Sequence, residues 1–190
     1  MPSLMKEKGE NGKERRLSIK PGEKIQFEPI GVIRSPFKGT EDMPIQPAGA
    51  KDIRGQVVLD EAYAVGLSDL DGFSHIFLIY CFHLSKGYEL RVRPFMDKAL
   101  RGLFSTRAPR RPNPIGLSVV RLLGVEGNIL DIQGVDVVDG TPLLDVKPYV
   151  PLFDAPEVSS IGWLEGQAGK SETLRSDSRF RPHPDADVDE

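Results

Sequence analysis

Apolar residues fall into short runs separated by Gly, Pro, Asn and Asp, which is the rhythm of strands and turns rather than of helices. Ile25–Ile33 predicts a first strand, with Pro29 favouring an edge position or a bulge. Gln56–Asp60 predicts a second. Ser74–Leu84, reading Ser-His-Ile-Phe-Leu-Ile-Tyr-Cys-Phe-His-Leu, is the most apolar run, and its bulky residues at every position predict a central strand buried on both faces. Glu89–Arg93, Leu117–Val125, Ile129–Val135 and Pro142–Val146 complete the set. Glu126-Gly127-Asn128 is the strongest hairpin signal. Helix is expected only over Glu61–Leu70, around Met96–Leu100 and over Glu157–Leu164. The fold class that follows is mostly β: a small seven-stranded antiparallel β-barrel or curled sheet with short helices, and not a Rossmann fold.

Length and composition set the frame around these strands. With 190 residues, 39% of them hydrophobic, one core is expected. It should occupy residues 25–154, between a polar tail over 1–24 and a segment over 155–190 holding a short helix and a disordered acidic tail. The formal net charge of −3 hides a segregation. Arg91, Arg93, Lys98, Arg101, Arg107, Arg110 and Arg111 face only one acid, Asp97, within their span, whereas Asp185–Glu190 holds four acids and no base. Because salt screens beyond roughly 8 to 10 Å, the local basic run matters more than the total. Cys81 is the only cysteine, which leaves no disulfide framework or thiolate zinc site and reads as intracellular, hence cytoplasmic. No apolar run approaches the roughly 20 residues that cross a bilayer, and the start lacks a secretory core, so no membrane partner is expected.

Candidate chemistry concentrates in Gly102–Ser118, where three prolines stiffen a loop bearing Arg107, Arg110, Arg111 and Asn113. Planar donors held in a preset arrangement grip a phosphate, carboxylate or nucleobase at low entropic cost. A plain connector is the competing reading. The loop over 37–54, with Pro44, Gln46 and Pro47, is long enough to be functional. His75 and His83 lie roughly 26 Å apart along one strand at about 3.3 Å per residue, so they cannot share a metal. With no His-x-x-x-His or cysteine pair, no metal is expected. His83, where the buried strand emerges, is a candidate ligand contact, whereas His75 reads as structural. Asp136 and Asp139 flank a turn, and Asp139 before Gly140 is well explained as turn chemistry. Asp145 sits between apolar neighbours and needs a partner such as Lys147 or a loop arginine. No glycine-rich nucleotide fingerprint, Walker loop or nucleophile elbow is present.

Several blocks resemble one family in order. Ile30–Phe37, Pro44-Ile-Gln46, Phe73-Ser-His75, Gly102–Arg107, Arg111–Ser118 and Asp136–Pro142 through Asp145-Val-Lys-Pro-Tyr149 are similar to the TsaA-like family, also called TrmO, over about 27–154. The resemblance implies a seven-stranded barrel that binds S-adenosylmethionine, forms homodimers and methylates the exocyclic amino nitrogen of threonylcarbamoyladenosine beside the tRNA anticodon. It places cofactor contacts on Pro44, Ile45, Gln46, His83, Leu84, Arg107, Leu117 and the segment Gln133, Gly134, Val135 and Asp136. Ile45 stands where the family often has arginine, and Leu84 where a polar residue is usual. Asp139 is then the candidate hydrogen acceptor for the attacking amine, with Asp136 assigned to the cofactor. Arg110, Arg111, Asn113, Asp145, Lys147 and Tyr149 are the expected tRNA contacts. The separate C-terminal domain of longer bacterial members has no counterpart here, so tRNA capture is expected from the barrel, the dimer or the tails. Two other readings stay open: methyl transfer to a small molecule, and a non-catalytic cofactor-sensing or RNA-binding module.

Overall fold

In the computed structural model, which describes residues 24–166, 173–177 and 180, six strands close into an antiparallel barrel. They are β1 (Gly31–Arg34), β2 (Arg54–Leu59), β3 (His75–Cys81), β6 (Ile115–Glu126), β7 (Ile129–Gln133) and β8 (Thr141–Pro148). Their order around the barrel is β1-β2-β7-β6-β3-β8, and β8 returns to pair with β1. The two remaining strands, β4 (Arg91–Val92) and β5 (Arg101–Gly102), form a separate ribbon.

Of the seven expected strands, six build the barrel and the one placed at Glu89–Arg93 shrinks to β4. Pro94 ends it at once, because proline has no amide hydrogen to offer a ladder. The ribbon shelters a satellite core of Val92, Leu103 and Ala108, against which Phe180 packs. The first strand is also shorter than expected, starting only after Pro29. Residues 1–23 of the expected N-terminal tail lie outside the described residues.

Strand β3 shows the packing rule most clearly. Ile76, Leu78 and Tyr80 point inward and are 0%, 0% and 4% exposed, whereas Phe77, Ile79 and Cys81 between them are half-buried. The expectation of burial on both faces is therefore corrected to alternation. A closed barrel fills its inside with side chains and has no second layer to cover the outside. Ile33, Val57, Val120, Leu130, Ile132, Val135 and Leu143 belong to the same core.

The twelve-residue β6 serves two neighbours. Its first half pairs with β3 and its second with β7, the ladder shifting between Leu122 and Gly124 as the strand bends around the barrel. The hairpin predicted at Glu126-Gly127-Asn128 forms, with Glu126 opposite Ile129. Gly127 takes the positive φ of 60° that the first position of this tight turn demands, and Asn128 Nδ2 donates to Leu59 O at 2.6 Å, tying the turn to β2.

The expected helices are reduced. Glu61–Leu67 is a 3-10 helix whose first turn is capped by the Asp60 carboxylate, 3.0 Å from Ala62 N. Between Glu157 and Leu164 only Gly162–Leu164 is helical, as one 3-10 turn. A single α-turn, α1 (Pro151–Asp154), follows β8 instead. Within the C-terminal segment, residues 175–176 meet the loop before β2, whereas the acidic residues Asp185–Glu190 lie outside the described residues. Arg175 bridges to Pro44, Ser176 N donates to Met43 O at 2.8 Å, and Asp42 N donates to Ser176 O at 3.1 Å.

Candidate active site

One cavity of about 770 Å³ opens beside the barrel, within the range that holds small ligands. Three loops and two strand ends make it. The loop before β2 contributes Pro44, Ile45 and Gln46; the end of β3 and the residues after it contribute Tyr80, Phe82, His83 and Leu84; the proline-rich loop contributes Phe104, Arg107 and Arg111. The start of β6 adds Leu117 and Ser118, and the turn before β8 adds Asp136, Val138 and Thr141. The proline-rich loop and the turn before β8 thus border one cavity, although Asp139 and Gly140 are not among its lining residues.

Local bonds hold the wall in place. Arg107 Nη1 donates to Gln46 Oε1 at 3.2 Å, joining two loops distant in sequence. Arg111 Nη1 donates to Thr106 O at 2.9 Å, and its guanidinium lies 5.7 Å from the centroid of the Phe104 ring. Trp163 Nε1 donates to Ser105 O at 2.8 Å while Arg101 stacks over the indole at 5.6 Å, so the C-terminal segment also walls the cavity.

A polar chain forms the floor. Tyr80 Oη lies 3.1 Å from Ser118 Oγ, which donates to Asp136 Oδ1 at 2.7 Å. Tyr80 faces Gly116 across the β3–β6 pair. A Cβ at Gly116 would stand 2.7 Å from Tyr80 Cδ2 and closer still to two other ring atoms, so only glycine lets the ring lie there. Burial pushes the Asp136 carboxyl up to about 6, against the pull of the Ser118 hydroxyl and the Arg107 charge. Burial, with the nearby Asp136 charge, likewise pushes the Tyr80 hydroxyl well up, so it stays protonated.

Of the residues assigned to the cofactor, Pro44, Ile45, Gln46, His83, Leu84, Arg107, Leu117 and Asp136 line this cavity. Gln133, Gly134 and Val135 do not. Gln133 is paired between β2 and β6, Gly134 N donates to Ile53 O at 2.8 Å, and the Val135 side chain is fully buried in the barrel core. Asp139 is also absent from the cavity wall. Lys38 Nζ stands 2.8 Å from its Oδ2 and Ser35 N donates to its Oδ1 at 3.1 Å; these two partners hold its carboxyl below the usual range. It anchors the turn to the end of β1.

The residues assigned to tRNA scatter. Arg111 lines the cavity, but Arg110 turns toward Glu89 Oε1 at 2.8 Å and borders a smaller cavity with Arg91 and Arg93. Asn113 is exposed on the loop. Asp145 pairs with Lys147 at 2.7 Å as expected, yet both stand apart from the cavity wall, as does Tyr149, whose ring meets Phe77 edge-on at 5.4 Å. Sequence reasoning missed Tyr80, Ser118 and Trp163. A tyrosine and a serine at inward positions of apolar strands, and a lone tryptophan in a polar segment, were the available signals.

Known proteins match this architecture and this stretch of chain. The family described as tRNA-methyltransferase O N-terminal domain matches residues 32–155. A probable S-adenosyl-L-methionine-binding protein of Pyrococcus abyssi is 55% identical over 156 residues, covering 82% of this chain and 85% of that protein. The tRNA (adenine(37)-N6)-methyltransferase of Escherichia coli is 40% identical over 147 residues, covering 72% of this chain and 63% of that protein. Among solved structures, the crystal structure of TrmO from Pseudomonas aeruginosa is similar with a TM-score of 0.62 at 39% identity, covering 74% of this chain and 63% of that one. The chain thus spans about three-fifths of those two longer proteins and most of the archaeal one. A family match running from β1 through α1, in a chain whose barrel is similar to that solved structure, places this chain in the tRNA-methyltransferase O N-terminal domain family.

Proposed function

We propose that this protein binds S-adenosylmethionine in the 770 Å³ cavity and methylates the exocyclic N6 of an adenosine beside the tRNA anticodon. The observation that carries the reading is the convergence of Arg107, Gln46 and Asp136 on one cavity in a chain of this family. The residues suit the cofactor chemically. Arg107 offers a charge-assisted fork to a carboxylate, and Ile45, Phe82, Leu84 and Leu117 offer an apolar surface for an adenine ring and a sulfonium chain. The bound cofactor supplies an electrophilic methyl group and a neutral thioether as leaving group.

The protein's own work is then positioning. Braced loops hold nucleotide and donor in line, which is where most of the rate of a methyl transfer arises. The exposed Arg91 and Lys98 and the loop residue Asn113 face solvent and are the proposed tRNA contacts, whereas Arg110 is paired with Glu89 and Arg111 braces the proline-rich loop through the Thr106 carbonyl. The threonylcarbamoyl group is the proposed prior modification, its carboxylate meeting Arg111 at the cavity wall. We also propose a homodimer, for which the apolar Leu152 and Phe153, 96% and 73% exposed after β8, supply a surface. Among the described residues no helix is long and apolar enough to cross a membrane.

The test is mass analysis of nucleosides after incubating purified protein, S-adenosylmethionine and tRNA that carries or lacks the threonylcarbamoyl group. A methyl group on N6 of the anticodon-adjacent adenosine is expected. Cofactor binding without methylation of either tRNA would remove the proposal.

A further inference from the structure

The floor of the cavity carries a directed hydrogen-bond chain whose last member is open to the ligand space. Ser118 is 3% exposed and spends its only hydroxyl hydrogen on Asp136 Oδ1 at 2.7 Å. The hydroxyl of Tyr80, 3.1 Å from Ser118 Oγ, must therefore donate to it. Hydrogens run one way, from Tyr80 through Ser118 to the Asp136 carboxylate. Tyr80 and Ser118 cannot take up a proton in this arrangement; Asp136 can, on Oδ2.

Asp139, the acceptor favoured by the sequence, is poorly suited. Lys38 and the Ser35 amide occupy its two oxygens, Arg34 Nη1 stands 4.0 Å away, and the group is not on the cavity wall. A group ionised that readily is a weak base. Burial gives Asp136 the opposite character, with a carboxyl raised to about 6, near the range where a base is both ionised and effective.

We infer that Asp136 Oδ2 accepts the proton leaving N6 of the target adenine during methyl transfer, with Ser118 and Tyr80 as positioning residues that fix the carboxylate through its other oxygen. The inference rests on the methyltransferase reading above. In the balanced step the N6 electron pair forms the new N–C bond, the C–S bonding pair stays with sulfur, and the N6 proton passes to Asp136, which releases it to water after product leaves. A positive sulfonium and a negative carboxylate are replaced by a neutral thioether and a neutral acid. The titratable groups facing Asp136 are Tyr80 from β3 and Arg107 from the proline-rich loop; His83, Arg111 and Asp177 complete the ionisable wall.

The experiment pairs single-turnover methylation of tRNA with carbon-13 NMR titration of aspartate carboxyls in the cofactor-free protein. The wild-type rate should rise with pH through about 6 and level off, and an Asp136 resonance absent from Asp136→Asn should titrate in the same range. Asp136→Asn should lose about 100-fold or more in rate while binding of S-adenosylhomocysteine, measured by calorimetry, changes by less than about threefold. Ser118→Ala should move both the resonance and the rate inflection to higher pH, and Ser118→Thr should restore them.

An Asp136→Asn variant that methylates at the wild-type rate overturns the role. So does one that loses S-adenosylhomocysteine binding but keeps the wild-type rate at saturating cofactor, since Asp136 is then a cofactor ligand. Wild-type protein that methylates no tRNA removes the methyltransferase reading and the proton acceptor with it.

Discussion

Gly116→Ala tests how the cavity floor is built. The new methyl would stand 2.7 Å from Tyr80 Cδ2 and closer to Cε2 and Cζ, against an ordinary carbon–carbon separation of about 3.5 to 4.0 Å. The Tyr80 ring must therefore move, or the β3–β6 ladder must part at the Tyr80–Gly116 pair. Tyr80 is 4% exposed and packs edge-on against Phe82 at 5.4 Å, so displacing the ring disturbs that packing and pulls its hydroxyl from Ser118. Overpacking of this kind costs about 1 to 3 kcal/mol. Losing the Tyr80–Ser118 hydrogen bond adds about 1 kcal/mol. A destabilisation of about 2 to 4 kcal/mol follows, read as a lower midpoint in urea unfolding with an unchanged m value. The control is the same substitution in a Tyr80→Ala background. There the clash is gone, and Ala in place of Gly should be neutral or stabilising by about 0.5 to 1 kcal/mol. Equal costs in the two backgrounds would refute the claim that Gly116 exists to seat Tyr80.

Three further outcomes are expected. A carboxyl raised from 3.8 to about 6 on folding binds its proton more tightly in the native state, so stability should fall by about 3 kcal/mol as pH climbs from about 4 to 6 and then level off. Asp136→Asn should abolish that component, and urea midpoints across pH that fall in parallel for the two proteins would show otherwise. Asp139, whose carboxyl is held low by Lys38 and the Ser35 amide, contributes stability present above the usual carboxylate range and lost as pH falls below it. In Asp139→Asn this acid-sensitive part should be missing from thermal melts, and an unchanged acid limb would count against it. Arg107→Ala should weaken S-adenosylhomocysteine binding about 10- to 100-fold by calorimetry, the worth of one charge-assisted bond, and an unaltered Kd would remove Arg107 from the site.

Strand existence was legible because it follows from local chemistry. Alternating or continuous apolar runs, the Glu126-Gly127-Asn128 turn and the prolines that end strands each act over a few neighbours. The proline-rich loop and the turn before β8 were recognisable as chemistry-bearing for the same reason, and both border the cavity. Of the residues assigned to the cofactor, Gln133, Gly134 and Val135 are the ones off the cavity wall, because strand pairing and core packing, invisible in one stretch of chain, hold them elsewhere. The surroundings of the two aspartates were not legible. In the sequence they differ by three positions; in space one meets Lys38 and the other a buried serine.

The chain by itself determined a mostly β domain, the places where it turns, and the segments rich in arginine, proline and aspartate, since each of these is a property of neighbouring residues. Closure of six strands decided the rest: which side chains face inward, that Tyr80 crosses Gly116 to reach Ser118, and that Asp136 rather than Asp139 lines the cavity. Burial and charge pairing are long-range quantities, set by partners that can lie more than a hundred residues away, and they come into being only when the barrel shuts.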